Sequence, residues 1–461
     1  MDFLKFDVPM IMVFGFAFAM CVESGARALH PDRPFAYEVR AMPILYAAAI
    51  GFIALNFFML VLPYFRAYPF ADDWIFALPL KFTSLSEWWN WLFVQHVDHR
   101  IPIHKIVSFL TLRASGFDFR YMVGVNYALA IATSAMLLYV AKAYRGHLSA
   151  GDMLVPLGLL QFSAGYSLWA FQFQFISSIF FFASFIFCAV RGSMWIAALA
   201  LVACALSGMN GLLFATIGAA AMLVWFAAVR RRGFVPFVLP LVASLIVWLT
   251  WKPTAASSTD GLNVHAVAVY LYGLLPASMG VFAFGDVEWK FAVVALLALA
   301  GAVVIVAKAV KRQLTLHDYL LAVGAICSFL VMASVAVGRS KTQGDWNPVT
   351  AMHYGSMSIF LPAFAWLIVS KRFPRAGNVL GIGLLAVFLY AFLSASEWRS
   401  NMIDGAYPHQ QEIMSALKST SDVDALAGKY LRDFTIDEAH KGDVTGGIRA
   451  FRAAGAALYG K

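Results

Sequence analysis

The chain has 461 residues, of which 61% are hydrophobic and 13% are charged, whereas a soluble domain carries about 25% charged residues. A single compact core stops growing near ~250–300 residues, so this apolar content, with a mean hydropathy of +0.75, excludes an ordinary soluble enzyme. The formal charge is +9, but surplus Lys and Arg in a membrane protein report topology and lipid contacts rather than nucleic acid. We expect an all-α polytopic membrane protein whose partners include membrane lipids and no nucleic acid.

Apolar runs that approach the length of a membrane span, about 17–25 residues, recur along the chain. They predict about twelve transmembrane helices in one membrane domain, residues 1–396. Whether 8–22 and the Gly- and Pro-containing run 265–284 cross the membrane stays open. The spans are predicted near 8–22, 41–63, 120–142, 152–169, 173–190, 194–208, 212–229, 235–251, 289–308, 316–338, 355–370 and 377–395.

The loops between these spans differ in basic residues. One alternating set carries fifteen Lys and Arg, and the other short loops carry only Lys252, Lys290, Arg339 and Lys341. Because cytoplasmic loops retain basic residues, the first set is predicted to be cytoplasmic. The segment 64–119 (the long loop) and residues 397–461 (the tail, a small helical domain) are then predicted to lie on the outer face.

Two adjacent carboxylates, Asp72 and Asp73, begin the most polar part of the long loop, in the sequence Ala-Asp-Asp-Trp. Paired carboxylates can supply a general base, since their repulsion raises the pKa of one of them. They can also hold a divalent cation such as Mg²⁺ or Mn²⁺. An Asp at the start of a helix is equally typical of an N-cap, so catalysis, metal binding and capping all stay open.

A second polar cluster follows at Gln-His-Val-Asp-His-Arg, with His96, Asp98, His99 and Arg100. Ionisable residues beside a membrane are costly and tend to be functional. These side chains can bind substrate or a metal, although a solvated turn that contacts lipid phosphates would use the same residues.

Two short helices are predicted to bracket this cluster at the membrane surface. Ser84 and Glu87 have the spacing of a capping box, and the tryptophans that follow suit the headgroup layer. Residues 102–114 have one apolar face and are too short to span, which is typical of an interfacial helix.

These motifs, in this order, resemble the GT-C superfamily of integral-membrane glycosyltransferases. The likeness begins with a membrane helix, Asp-Asp-Trp at 72–74, and a His-x-Asp-His-Arg turn at 96–100 before a basic helix. It departs from the family at His353, where Arg is more usual, which leaves open whether that position binds phosphate. It covers about residues 41–370, and its further segments are Gln161, Trp169–Phe175, Met209–Leu212, Gly338–Arg339 and His353–Tyr354.

The resemblance implies an inverting glycosyltransferase that moves a sugar from a polyprenyl-phosphate-linked donor to an envelope glycan, glycolipid or other acceptor. It implies a site on the periplasmic side of a bacterial plasma (inner) membrane, with Asp72 or Asp73 as general base. The donor phosphate would be bound by Arg339, Lys341, His353, Arg100 and His99, and the substrates by His96, Asp98, Gln172, Gln174 and Tyr354.

Some of these residues also fit a structural role. Arg339 is equally typical of a helix-end anchor to lipid headgroups, and Gln172 and Gln174 of residues that satisfy freed backbone groups.

The alternative function is a polytopic solute transporter or lipid flippase. Transporters place ionisable groups near the middle of their spans, whereas here most predicted spans hold almost none and the polar residues concentrate in the predicted outer loops. This distribution favours the enzyme.

Overall fold

The computed structural model describes residues 12–13, 15–25, 38–161, 169–229, 233–252, 263–280, 287–342, 352–436 and 438–460. Within these ranges the protein is all-helical, and its one β-bridge joins His96 to His99. Residues 15–25 are α-helical. The further α-helices include Glu38–Asn56, Leu85–Phe93, Pro102–Ala114, Arg120–Arg145, Leu154–Leu159, Phe173–Val190, Met194–Ala205, Met209–Ala228, Val235–Leu249, Val264–Leu274, Val287–Val310, Leu316–Thr342, Phe360–Arg372, Pro374–Ser419, Val423–Lys429, Leu431–Phe434 and Lys441–Ala453. The 3₁₀ helices include Ala71–Lys81, Ala150–Met153, Ala170–Gln172 and Met352–Ile359.

Seven helical stretches in the described part of the chain are long and apolar enough to cross a membrane. Each coincides with a span predicted from the sequence, so the polytopic all-α class holds, while the total of twelve spans stays a prediction. The seven are Ala41–Tyr64, Arg120–Arg145, Ala170–Val190, Met209–Ala228, Val287–Val310, Leu316–Ser340 and Pro374–Ser394.

Several other predicted spans form shorter helices. The predicted span 152–169 is a six-residue helix, Leu154–Leu159, buried at every position, and 162–168 lie outside the described residues. In Phe360–Arg372 every residue from Phe360 to Ser370 is buried. A helix that is apolar on all sides and buried is packed inside a bundle, so neighbouring helices, and not lipid, surround these two elements.

The apolar surface that faces outward lies on other helices. Val287–Val310 packs on Phe360–Arg372 and exposes Leu296 and Leu299 on its far side, at 68% and 63%. A row of exposed large apolar side chains on a membrane-length helix is expected where lipid replaces water as the solvent.

A buried ion pair links helices at the basic end of the bundle, which is the end with the loops predicted to be cytoplasmic. Arg145 contacts Asp152, and these side chains are 4% and 1% exposed. Asp152 also accepts hydrogen bonds from the Trp366 indole N–H and the Ser149 backbone N–H, each at 2.9 Å. One carboxylate therefore joins the neighbouring residues Arg145 and Ser149 to Trp366, which is 214 residues away along the chain.

Both short helices predicted in the long loop are present. Leu85–Phe93 begins at a capping box, in which Ser84 Oγ accepts from the Glu87 N–H at 3.3 Å and the Glu87 carboxylate accepts from the Ser84 N–H at 2.9 Å. The second helix, Pro102–Ala114, starts with proline, which suits the first helical turn. The capping prediction is confirmed.

A second hydrophobic core joins the long loop to the tail. Trp74 packs edge-on against Phe434 and also contacts Phe451, and its indole N–H donates to the Phe434 carbonyl at 2.9 Å. The helix Pro374–Ser419 runs unbroken across residue 396 and carries Ile413 and Leu417 into the same core. The tail is thus attached to the membrane helices by one continuous helix and to the long loop by Trp74.

Gly447 allows the tail helix Lys441–Ala453 to approach Trp74. A Cβ at Gly447 would stand 2.8 Å from Cζ3 of Trp74 and closer to Cε3, whereas one at Gly442 would meet no described atom within 4 Å. We expect Gly447→Ala to destabilise tail docking by about 1–3 kcal/mol through overpacking and Gly442→Ala to be neutral or slightly stabilising. Limited proteolysis of the tail measures both; equal cleavage rates would contradict this packing.

Candidate functional site

The Asp-Asp-Trp motif lies at the start of the 3₁₀ helix Ala71–Lys81 and gives its two carboxylates different positions. Asp73 folds back and accepts a hydrogen bond from the Phe70 N–H at 3.1 Å, as a helix cap does. Asp73 is 2% exposed, while the Asp72 side chain is 40% exposed. Ala71, just before them, has φ +51°, a left-handed conformation that costs a residue with a Cβ and often marks a functional site.

Burial raises the pKa of Asp73 well above its ordinary value, more than the cap bond from Phe70 lowers it. Its Oδ1 has no hydrogen-bond partner among the described residues. Of the two carboxylates, Asp72 is therefore the one that is accessible from outside the protein.

The second polar cluster is a two-residue turn. His96 and His99 exchange backbone N–H to carbonyl hydrogen bonds at 2.8 Å each, with Val97 and Asp98 between them. Val97 has φ +48°, which is strained for a β-branched residue. Residues with a left-handed backbone conformation, Ala71 and Val97, thus lie next to Asp72 and His96. The hydrogen bonds of the turn fix the backbone positions of both histidines.

His96 and Asp72 form a pair, with 3.2 Å between Nε2 and Oδ1. They line a cleft of about 420 Å³, which we call the tail cleft, between the 3₁₀ helix Ala71–Lys81 and the tail. Its volume lies in the range of small-molecule sites, about 300–1,000 Å³. The lining residues are Ala71, Asp72, Trp74, Ile75, Ala77, Leu78, Lys81, His96, Thr435, Ile436, His440, Gly442, Asp443, Gly446 and Gly447.

His99, at the other end of the turn, lines a different cleft. Its Nδ1 accepts a hydrogen bond from the Met209 N–H at 3.2 Å, which leaves the proton on Nε2. Burial lowers the pKa of His99 to about 4. His99 is therefore a neutral hydrogen-bond donor near pH 7, and not the cation that phosphate binding would suggest.

This second cavity, which we call the span cleft, has a volume of about 340 Å³ and lies between the turn and the membrane helices. Arg339 donates through Nε to the Tyr354 hydroxyl at 2.8 Å, and Nη2 contacts the same oxygen. Tyr354 packs edge-on against Phe175. The lining residues are Val97, Asp98, His99, Met209, Asn210, Leu213, Trp248, Trp251, Ser334, Val335, Val337, Gly338, Arg339 and Tyr354.

The two predicted glutamines are both buried but differ in their neighbours. Gln174 Oε1 and His99 Nδ1 lie 3.6 and 3.7 Å from the point where a Cβ on Gly208 would stand, so Gln174 belongs to the surroundings of His99. Gln172 is fully buried, and among the described residues neither atom of its amide has a partner. Neither glutamine is in the described lining of the two clefts.

The remaining predicted phosphate-binding residues are placed differently. Arg100 donates to the carbonyl of Thr250, at the end of the helix Val235–Leu249. The side chains of Lys341 and His353 lie outside the described residues. Of the five residues predicted to bind phosphate, the structure brings His99 and Arg339 into one cleft.

Sequence reasoning missed the residues that fix the turn. The Gln95 side-chain amide donates to the Lys252 carbonyl at 2.7 Å and accepts from the Lys252 N–H at 3.0 Å. The Trp251 indole N–H donates to the Asp98 carbonyl at 3.1 Å. Trp251 and Lys252 lie over 150 residues away along the chain, so no local pattern could have revealed these bonds.

A buried lysine, Lys105, supports the turn from the other side. It is 2% exposed, and its Nζ donates to the carbonyls of Trp91 and Val94 at 2.5 and 2.9 Å. These carbonyls belong to the last turn and the C-cap of the helix Leu85–Phe93. Lysine near a helix C-terminus is favourable, so this buried amine has a structural role.

Burial lowers the pKa of Lys105 from 10.5 to about 8, which predicts a pH dependence of stability. Between about pH 8 and 10.5 the folded protein binds fewer protons than the unfolded chain, so stability should rise with pH in that window. We expect the melting temperature of the wild type to rise relative to that of Lys105→Met from pH 8 to 10. If the melting temperatures of the two proteins change with pH in the same way, the pKa of Lys105 is not lowered in the folded protein.

The described residues do not form a metal cage. No group of three His, Cys, Asp or Glu side chains in the described part of the chain is close enough to hold a cation. Asp72 has one such partner, His96, whereas Mg²⁺ prefers an octahedral set of oxygen ligands.

The site is thus two clefts joined by one strained turn. A carboxylate–imidazole pair lies in the tail cleft, and a neutral imidazole lies with an arginine in the span cleft. Comparison of the chain with protein-family models, with curated proteins and with solved structures finds no match.

Proposed function

We propose that this protein is an inverting glycosyltransferase that uses a polyprenyl-phosphate-linked sugar as donor. The observation that carries the proposal is the turn His96–His99, which joins the Asp72–His96 pair in one cleft to His99 and Arg339 in the other. A base and an anion site next to each other are what displacement of a phosphate requires.

The span cleft suits the donor. Arg339 offers a guanidinium and His99 an Nε2–H to a phosphate, and charged donors stabilise the negative charge that develops on the leaving oxygen. Met209, Leu213 and Val335 provide an apolar wall of the same cleft for a prenyl chain. A donor with a charged phosphate and an apolar prenyl chain matches a cleft with one polar and one apolar part.

The tail cleft suits the acceptor. The Asp72 carboxylate takes the proton of the acceptor hydroxyl as that oxygen attacks the anomeric carbon from the face opposite the phosphate. The bond between the anomeric carbon and the phosphate oxygen breaks, and its electron pair leaves with the polyprenyl phosphate. His96 orients the carboxylate by donating from Nε2 to Oδ1. Inversion follows from this single displacement.

The ordered motifs that resemble the GT-C superfamily support the same chemistry. The excess of basic residues in one set of loops favours a site on the extracytoplasmic side, and the resemblance favours a bacterial plasma membrane. The helix Arg120–Arg145 is roughly 39 Å long at 1.5 Å per residue, and its basic end is opposite the long loop. This length suffices to separate the two faces of a bilayer.

The test is donor consumption by the full chain purified in lipid nanodiscs. The probes are undecaprenyl phosphates carrying labelled glucose, galactose, mannose or N-acetylglucosamine, with membrane extract of the expression host as acceptor. Release of free undecaprenyl phosphate together with a labelled product is expected for one of them. If every donor stays intact, but reconstituted vesicles carry a labelled lipid across the bilayer, the protein is a flippase and the proposal fails.

Tyr354 should govern donor affinity through Arg339. Tyr354→Phe removes the hydroxyl that accepts from the guanidinium, and a hydrogen bond to a charged group contributes about 1.5–3 kcal/mol. We expect donor KM to rise by about tenfold or more, with kcat less affected. Tyr121→Phe, at a tyrosine that is 59% exposed, is the control; equal kinetics for the two variants would contradict this role.

A further inference from the structure

The tail forms one wall of the cleft that contains Asp72. Seven of the fifteen lining residues belong to it, from Thr435 to Gly447. The opposite wall is the 3₁₀ helix Ala71–Lys81, and His96 lies between them. A group that reaches Asp72 through this cleft therefore passes between the long loop and the tail.

The polar groups on the tail wall are placed to recognise such a group. His440 Nδ1 and Asp443 Oδ2 are 2.9 Å apart, on consecutive turns at the start of the helix Lys441–Ala453. Both side chains are well exposed, at 59% and 65%, so they remain accessible to a ligand. An exposed pair of this kind contributes little to stability.

The opposite wall combines apolar surface with one cation. Ile75 and Leu78 line the cleft, and Lys81 stands at its far end, where Nζ lies 3.5 Å from the Cβ position of Gly446. A pyranose has apolar C–H faces and a rim of hydroxyls that both donate and accept hydrogen bonds. Apolar walls with a few spaced polar groups are what such a ligand needs.

We propose that the tail cleft is the acceptor subsite and that it binds a saccharide, recognised by His440 and Asp443. This inference rests on the proposed function. It assigns acceptor recognition to residues of the tail, more than 340 residues after the base along the chain. The acceptor is then a sugar presented from the aqueous side, whereas the donor comes from the side of the membrane helices.

The test compares Asp443→Asn and His440→Gln with the wild type. The acceptor probe is a set of oligosaccharide fragments of the envelope polysaccharide of the expression host, added at graded concentrations with the consumed donor. Two rates are measured: transfer to the oligosaccharide, and release of undecaprenyl phosphate without acceptor, in which water attacks. Asp424→Asn is the matched control, because Asp424 is an exposed tail carboxylate that pairs with Arg449 outside the described lining of the cleft.

We expect both cleft variants to raise the half-saturating oligosaccharide concentration about tenfold, while donor KM, hydrolysis without acceptor and melting temperature match the wild type. Asp424→Asn should behave as the wild type. The saccharide subsite is wrong, and the proposed function stands, if the wild type consumes donor but both variants saturate with oligosaccharide as the wild type does. The same conclusion follows if the wild type consumes donor but transfers sugar to no oligosaccharide. If the wild type consumes no donor, both fail.

Discussion

Replacing Asp72 with Asn is expected to lower the rate of sugar transfer by ~10²–10⁴-fold, because a positioned general base contributes about that factor. The amide retains an oxygen near His96 but cannot take the proton of the acceptor hydroxyl. The variant should stay folded, since Asp72 is 40% exposed and its described side-chain partner is His96 alone. Transfer rates at saturating substrates, with melting temperatures, measure the effect.

Asp73→Asn is the matched control in the adjacent residue. Its amide oxygen can still accept from the Phe70 N–H, and an amide has no charged form whose burial would cost free energy. We expect a transfer rate close to that of the wild type. The reverse result, an active Asp72→Asn and an inactive but folded Asp73→Asn, would assign the base to Asp73.

The second large effect is expected on stability. Asp152→Ala removes the carboxylate that binds Arg145, Trp366 and Ser149. Breaking a buried ion pair by deleting one partner costs about 3–5 kcal/mol, since the other charge stays buried and uncompensated. We expect a strongly lowered melting temperature and little folded protein after detergent extraction.

Two further variants test whether the loss of stability comes from the buried ion pair itself. Asp424→Ala breaks the exposed pair with Arg449 and should cost only ~0–1 kcal/mol. The double variant Arg145→Met with Asp152→Leu replaces both charges and should recover much of the loss, as apolar replacements of buried pairs do. A double variant no more stable than Asp152→Ala would show that the charges do not act as a pair.

Two ion pairs among the membrane helices bear on the transporter alternative. Arg145 pairs with Asp152, and Lys308 pairs with Asp318 at 2.5 Å. The Asp318 side chain is fully buried and also accepts from the Tyr144 hydroxyl at 2.5 Å. These charges cross-link helices at the basic end of the bundle, so structural contacts account for them without an ion pathway.

Local features were predictable from the sequence because their causes are local. The capping box of Ser84 and Glu87 depends on a spacing of three residues, and the one-sided helix Pro102–Ala114 depends on its periodicity. Hydropathy located the seven long apolar helices. It could not separate apolar helices that face lipid from those enclosed by protein, such as Leu154–Leu159, because both bury the same residue types.

The candidate site was predictable in composition and not in arrangement. From the sequence, Asp72 and Asp73 were equivalent candidates. In the structure, Asp73 accepts a hydrogen bond from the Phe70 N–H and caps the helix, whereas Asp72 stays accessible. The turn places His96 in the tail cleft and His99 in the span cleft, although the two residues are only three positions apart in the sequence. Contacts such as Trp251 to Asp98 join distant segments, and one sequence holds no signal for such pairings.

The helix Pro374–Ser419 and the core that it enters determine how far the tail can move. Its 46 residues, with Pro408 among them, extend at most roughly 69 Å at 1.5 Å per residue. The tail is also held by an aromatic core, in which Trp74 contacts Phe434 and both Phe117 and Phe119 contact Phe451. Contacts spread over such a core resist rotation of the tail as well as its separation from the long loop. The width of the gap above Asp72 is therefore set by the docked position of the tail, and a crosslink between the long loop and the tail should leave that width unchanged.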